Sequence, residues 1–181
     1  KLIQMVPDLY VAWHAGKSKW RNHKSLNFKS IGIEISNPGH EYGYKAFTGN
    51  QIKCLIKLSK SIIKKYNIKK NKILGHSDIA PLRKIDPGEK FPWKLLSKKK
   101  IGIWHKVNSN ILKSSRGKKS EVSVSKFIFY LKKLGYHMKY SSPNELKKII
   151  KTFQMRFRPE ITEGKLDLEC YKIAKSLYNL R

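Results

Sequence analysis

The chain has 181 residues, enough for one ordinary domain or a trimmed domain with a small satellite, and enough to bury a core. It is 40% hydrophobic, which excludes a wholly disordered chain, and none of its apolar runs comes near the roughly 18 residues that span a bilayer. Two cysteines, Cys54 and Cys170, exclude a disulfide framework and a thiolate zinc ribbon, and leave open whether they bridge each other.

Forty Lys and Arg against 12 Asp and Glu give a net charge of +28. Such a charge raises nucleic-acid binding as a hypothesis, but only six of the cations are arginine, the residue that reads bases and forks phosphates. The lysines are spread along the whole chain, and together with abundant Ile and Asn they match the bias of an A+T-rich genome. A partner that is not nucleic acid is therefore expected, with the basic surface favouring an anionic one.

In chain order, Lys1–Val6 reads as a strand already in progress, with no charged, apolar and small-residue succession of a signal peptide. Something upstream is therefore expected. Trp13-His14-Ala15-Gly16, Trp20-Arg21 and Asn27 make a loop dense in aromatic and polar groups, of the kind that lines a sugar or peptide groove. Within it Trp13 offers a stacking face, and His14, Arg21 and Asn27 offer polar contacts, although a histidine packed between indoles is more often a structural residue. Ile31–Ile35 alternates as a strand, so Glu34 points away from Ile33 and Ile35. Near a loop-lined rim such a carboxylate suits a general base whose pKa burial would raise; the alternative is an edge residue facing solvent.

Thr48 and Gln51 form a capping box ahead of Ile52, Leu55, Ile56, Ser59, Ile62, Ile63 and Tyr66, which predicts an amphipathic helix. Lys72–Leu74 is a short strand candidate, followed by Gly75-His76-Ser77-Asp78 and then Arg83-Lys84-Ile85-Asp86-Pro87-Gly88. A histidine at a strand end and an aspartate in a proline-fixed loop can offer one nitrogen and one oxygen to Zn²⁺. Two ligands do not make a site, and taken singly His76 reads rather as a hydrogen-bonded loop imidazole and Asp86 as a turn residue. Lys84 is placed to donate toward an oxyanion beside a metal.

Residues 106–121 have the polar composition of an exposed linker. Beyond it three helices are expected: one with the face Val124, Phe127, Ile128, Leu131 and Leu134, closed by Gly135; one opened by Ser142-Pro143-Asn144-Glu145; and one capped by Asp167. The predicted organisation is an α/β domain with a mixed central sheet flanked by helices over residues 1–105, and a small three-helix domain over 122–181.

Four segments in order carry a family resemblance: Ala12-Trp13-His14-Ala15-Gly16, Ser30–Ile35, Gly75–Pro81, and Arg83–Gly88 through Phe91-Pro92-Trp93. They resemble the zinc-dependent N-acetylmuramoyl-L-alanine amidases of type 2 over roughly residues 2–105, and the tail resembles, more loosely, a peptidoglycan-binding helical module. The resemblance implies hydrolysis of the amide joining N-acetylmuramic acid to L-alanine, with His76 and Asp86 as zinc ligands, Glu34 as general base and Lys84 stabilising the tetrahedral species. It implies a peptidoglycan or muropeptide substrate, a monomer working in the bacterial cell envelope, periplasmic or secreted, and cytoplasmic recycling as the alternative site of action. A first zinc-ligating histidine, on a strand preceding the segment where this sequence starts, has no counterpart here, and His14 is the nearest histidine to stand in. The expectation is a piece of a competent enzyme; a non-catalytic wall-binding protein or inactive remnant is the alternative.

Overall fold

The computed structural model describes residues 1–180. Two hydrophobic clusters organise it, and the helices follow from local signals that place an apolar face on one or the other. Helix α1 (Gly49–Tyr66) starts where Thr48 Oγ1 accepts from the Gln51 backbone N–H at 3.2 Å and the Gln51 carboxamide accepts from Thr48 N–H at 2.8 Å. It ends at Asn67, whose φ of 47° is a left-handed cap. Its buried residues Ile52, Leu55 and Ser59 face a core of Phe91, Trp93, Leu96 and Ile101, built from helix α3 (Trp93–Lys98) and its flanks. Between them lies the four-residue helix α2 (His76–Ile79).

Residues 106–121, expected as an exposed linker, contain helix α4 (Ser109–Ser115), which packs on α7 (Leu168–Tyr178). Composition concealed this because α4 is short and polar outside, with only Ser115 buried. Arg116 then grips the buried Glu169 with two 2.8 Å hydrogen bonds, and Gly117 N–H donates to Asp167. Helices α5 (Val124–Leu134) and α6 (Pro143–Phe157) occupy the predicted positions, capped by Ser123 and Ser142, and Asp167 caps α7 by accepting from Cys170 N–H at 2.9 Å.

The central mixed sheet is not found among the described residues. Its place is taken by a two-stranded antiparallel hairpin, β1 (Lys19–Trp20) and β2 (His23–Lys24). Ile31–Ile35 and Lys1–Val6 carry strand-like residues but exchange no ladder hydrogen bonds with another segment, and Lys70–Lys72 is a 3₁₀ turn that ends in a Lys70 carbonyl bond to Ile73 N–H. Strand propensity reports suitability for a pleated surface, whereas a strand exists only where a neighbour supplies the facing N–H and C=O groups. Cys54 and Cys170 are both free thiols, the first exposed and the second buried.

The larger cluster is not confined to the tail. Ala15, Trp20 and Leu26 join Phe127, Leu131, Ile149, Phe153, Ile173 and Leu177 in it. Trp20 lies against Gly135, where any side chain would collide with the indole, and meets Tyr136 edge-on at 5.0 Å. Arg21 N–H donates to the Gly135 carbonyl at 2.8 Å. Since one core threads both halves, Trp20→Ala is expected to cost ~3–5 kcal/mol and to shift a single calorimetric transition of the whole chain; two transitions, one of them unmoved, is the contrary result. A second expectation concerns acid. Burial works to raise the Asp167 pKa, but the N–H groups of Cys170 and Gly117 and the charge of Arg158 overcome it and hold the carboxyl below its ordinary value of 3.8. A depressed pKa adds stability that is fully present above the ordinary value and is lost as pH falls from there through the lowered one, so Asp167→Asn should flatten the acid limb of denaturation midpoint against pH.

Candidate active site

Gly75 is the point at which two loops close. A β-carbon there would stand 2.8 Å from Pro87 Cδ, so the absence of a side chain lets the 86–88 turn approach the start of α2. Ser77 N–H donates to the Asp86 carbonyl at 2.9 Å and fixes the approach. From the other side the Tyr44 hydroxyl donates to the Pro87 carbonyl at 2.6 Å and accepts from Lys90 N–H at 3.0 Å. His40, stacked on Tyr44 with ring centroids 4.2 Å apart, reaches Glu89 Oε2 at 3.0 Å. Burial is the main force pushing the Tyr44 hydroxyl up to about 12, so it remains a donor.

This clamp brings His76 Nδ1 to 3.1 Å from Asp86 Oδ2. The imidazole is mostly covered and the carboxylate is 56% exposed. His76 Nε2 lies 3.2 Å from the carbonyl oxygen of Ala15, a group that only accepts, so the proton belongs on Nε2. In the neutral ring Nδ1 then turns a lone pair toward a carboxylate oxygen, and a contact between two electron-rich atoms requires a proton or a cation in common. Burial acts to raise the Asp86 pKa, but with the shared proton on Nδ1 the hydrogen bond and charge of the His76 imidazolium, together with the backbone N–H of Asp86 and the ammonium of Lys84, outweigh it and hold the carboxyl below its ordinary value. The two predicted ligands thus share one point, and Lys84 is near enough for its charge to act there. Among the described residues no group of three or more His, Cys, Asp or Glu side chains gathers to hold a metal.

The other predicted residues fall into two groups. Trp13 is 79% exposed and meets Phe28 edge-on at 5.8 Å, leaving an open aromatic face. Glu34 is exposed on the extended Ile31–Ile35 stretch. The burial expected of it is therefore not present, and of this stretch only Ile35 packs on the α1 core. Asn27, read as a groove residue, is buried instead, and its Oδ1 accepts from the Ala15 and Gly16 N–H groups at 2.7 and 3.2 Å. It therefore shapes the turn whose carbonyl meets His76. His14 has both ring nitrogens engaged, with the Ala12 carbonyl at 2.9 Å and Ser30 Oγ at 3.0 Å, and lies against Gly32, where a β-carbon would be 2.6 Å from the ring. Arg21 directs Nε to the Leu134 carbonyl at 3.4 Å.

Sequence reasoning missed the support of the site. Arg83 donates to the carbonyls of Ala15 and Lys17, holding the acceptor of His76 in place. Asp78, 1% exposed, accepts from Gly75 N–H at 2.7 Å, from the Tyr136 hydroxyl and from Arg156 Nη1. Arginine in a chain that otherwise uses lysine was the available signal, since a planar fork is retained where two acceptors must be bridged.

In a helix-rich fold with one small hairpin, two loops bring an imidazole and a carboxylate to one point. The chain belongs to the N-acetylmuramoyl-L-alanine amidase family, whose sequence profile matches residues 1–89. It is 39% identical to the N-acetylmuramoyl-L-alanine amidase AmiD of Escherichia coli strain K12, covering 98% of this chain and 67% of AmiD. It is 42% identical to the 1,6-anhydro-N-acetylmuramyl-L-alanine amidase AmpD of Haemophilus influenzae over 45% of this chain and 43% of that protein. Among solved structures it superposes with a TM-score of 0.88 on E. coli AmiD in complex with the substrate anhydro-N-acetylmuramic acid-L-Ala-D-γ-Glu-L-Lys, at 37% identity over 99% of this chain and 73% of that one. AmpDh3 of Pseudomonas aeruginosa also matches with a TM-score of 0.88, at 32% identity over 98% of this chain and 72% of that one.

Gly75→Ala is expected to destabilise the chain by about 1–3 kcal/mol and to push the 86–88 turn away from His76; chemical denaturation reads the first and a crystal structure the second. Unchanged stability would mean that the two loops are not held in contact by this residue.

Proposed function

We propose that the chain hydrolyses the amide between N-acetylmuramic acid and the L-alanine of a stem peptide, in peptidoglycan or muropeptides. The observation that supports this most is the His76–Asp86 convergence inside a fold shared along nearly its whole length with AmiD, whose solved complex holds such a muropeptide. On this reading the substrate places the work in the bacterial envelope. No helix among the described residues is long and apolar enough to cross a membrane.

The donor chemistry of the pair fits zinc: one imidazole nitrogen and one carboxylate oxygen face each other, and the far ring nitrogen is anchored on a carbonyl, the arrangement that orients a ligating histidine. His76 and Asp86 would hold the ion as two of its ligands, and when bound it would supply polarisation of water and of the scissile carbonyl. Glu34 is assigned the water proton: its carboxylate takes it as the water oxygen attacks the carbonyl carbon, then delivers it to the alanine nitrogen as the C–N bond breaks. Lys84 is assigned the carbonyl oxygen, where its ammonium offsets the negative charge that develops. Trp13 presents a face on which a sugar ring can stack, and residues 122–181 are assigned to holding wall polymer.

The test is release of free stem peptide from a muropeptide, abolished by chelation and restored by zinc. Glu34→Ala and Asp86→Ala are each expected to lower kcat/KM by at least about a hundredfold, with Asp86→Ala also losing zinc. Turnover that survives chelation overturns the reading, and retention on insoluble peptidoglycan without any release identifies a wall-binding protein instead.

A further inference from the structure

The carboxylate of Asp78 sits two residues after His76, and its distant partners, Arg156 and Tyr136, belong to the C-terminal part of the chain. Arg156, 4% exposed on α6, donates Nη1 to Asp78 Oδ2 and Nη2 to the carbonyl of Ile73 at 3.0 Å. Its fork therefore brackets the turn that carries His76, with one prong before Gly75 and the other after the imidazole. The Tyr136 hydroxyl, just beyond α5, donates to the remaining oxygen, Asp78 Oδ1. Burial foremost, and then the Asp78 charge, push this phenol well above its ordinary pKa, so it is always a donor. The guanidinium is fixed in turn, 4.2 Å over the Trp93 ring and 5.0 Å from that of Phe157. Asp78 Oδ2 finally accepts from Gly75 N–H at 2.7 Å, so the position of the carboxylate sets the residue that precedes His76.

We propose that Arg156 and Tyr136 are positioning residues of the amidase site: through Asp78 they set where His76 Nδ1 stands relative to Asp86, which makes the C-terminal helices part of the metal-binding unit. The proposal rests on the functional reading above for the use made of His76. It distinguishes the Arg156 pair from the other buried ion cluster of the tail, in which Arg158 meets Asp167 and Glu169 and nothing near the site.

That contrast supplies the control. Zn²⁺ affinity is measured by calorimetric titration in a zinc buffer, and amide hydrogen exchange of Gly75 and Ser77 is measured on the metal-free chain, for the parent, Arg156→Lys, Tyr136→Phe and Arg158→Lys. Arg156→Lys keeps the charge but cannot hold Asp78 and Ile73 together, and Tyr136→Phe removes one hydroxyl and no packing. Both are expected to weaken zinc binding about tenfold and to speed exchange at Gly75 and Ser77, whereas Arg158→Lys should leave both unchanged even where it lowers Tm as far. Should Arg156→Lys fail to fold, Tyr136→Phe carries the test alone. Parental affinity and exchange in the folded site variants overturn the proposal, and so does an equal loss in Arg158→Lys, which would mark general destabilisation. If the parent binds no zinc, the functional reading falls, and the exchange comparison still decides the positioning.

Discussion

The ion pair between Asp78 and Arg156 is the constraint on which the rest depends. Two charges removed from water lose several kcal/mol of solvation each, and the pair persists only where geometry and further hydrogen bonds compensate. Here both carboxylate oxygens are satisfied, by Gly75, Tyr136 and Arg156, and the guanidinium spends a second prong on Ile73. Removing either partner would leave the other buried and uncompensated. The N-terminal part and the C-terminal helices therefore cannot separate without exposing this cluster, and the shared core around Trp20 and Tyr136 adds an apolar reason for the same union.

The electrostatics of the molecule work on two scales. Lysines dominate the charge of +28 and belong to the surface, where they favour contact with anionic groups. Arginine does something else. Of the five arginines of the described residues, four bridge two acceptor atoms: Arg83 the carbonyls of Ala15 and Lys17, Arg116 the two oxygens of Glu169, Arg158 Asp167 and Glu169, and Arg156 Asp78 and Ile73, while Arg21 reaches the Leu134 carbonyl alone. In those four places the point charge of a lysine could not replace the fork.

The site itself was partly legible. His76 and Asp86 lie ten positions apart with Gly75 and Pro87 beside them, and a short loop separated by a turn leaves few ways to arrange two such side chains. Their meeting was therefore within reach of sequence reasoning. The roles of Asn27 and of the Ala15 carbonyl were not, because a backbone oxygen has no letter in the sequence and a buried amide looks the same as an exposed one. Glu34 shows the reverse error: alternation gives the side on which a residue points, but whether that side is covered depends on what the fold lays against it.

By itself the sequence determined four of the helices, α1, α5, α6 and α7. The Thr48–Gln51 box, Ser142-Pro143 with Glu145 at N3, Asp167 at the start of α7 and Gly135 at the end of α5 act within one turn of chain, so their geometry follows from neighbours a few residues away. Only the tertiary structure decided which strand-like stretches found a ladder, that a polar stretch folds as α4 against α7, and that Asp78 is buried under Tyr136 and Arg156, 58 and 78 positions distant. Pairings of that kind are settled by which surfaces close over one another and exclude water, and no local pattern encodes the partner.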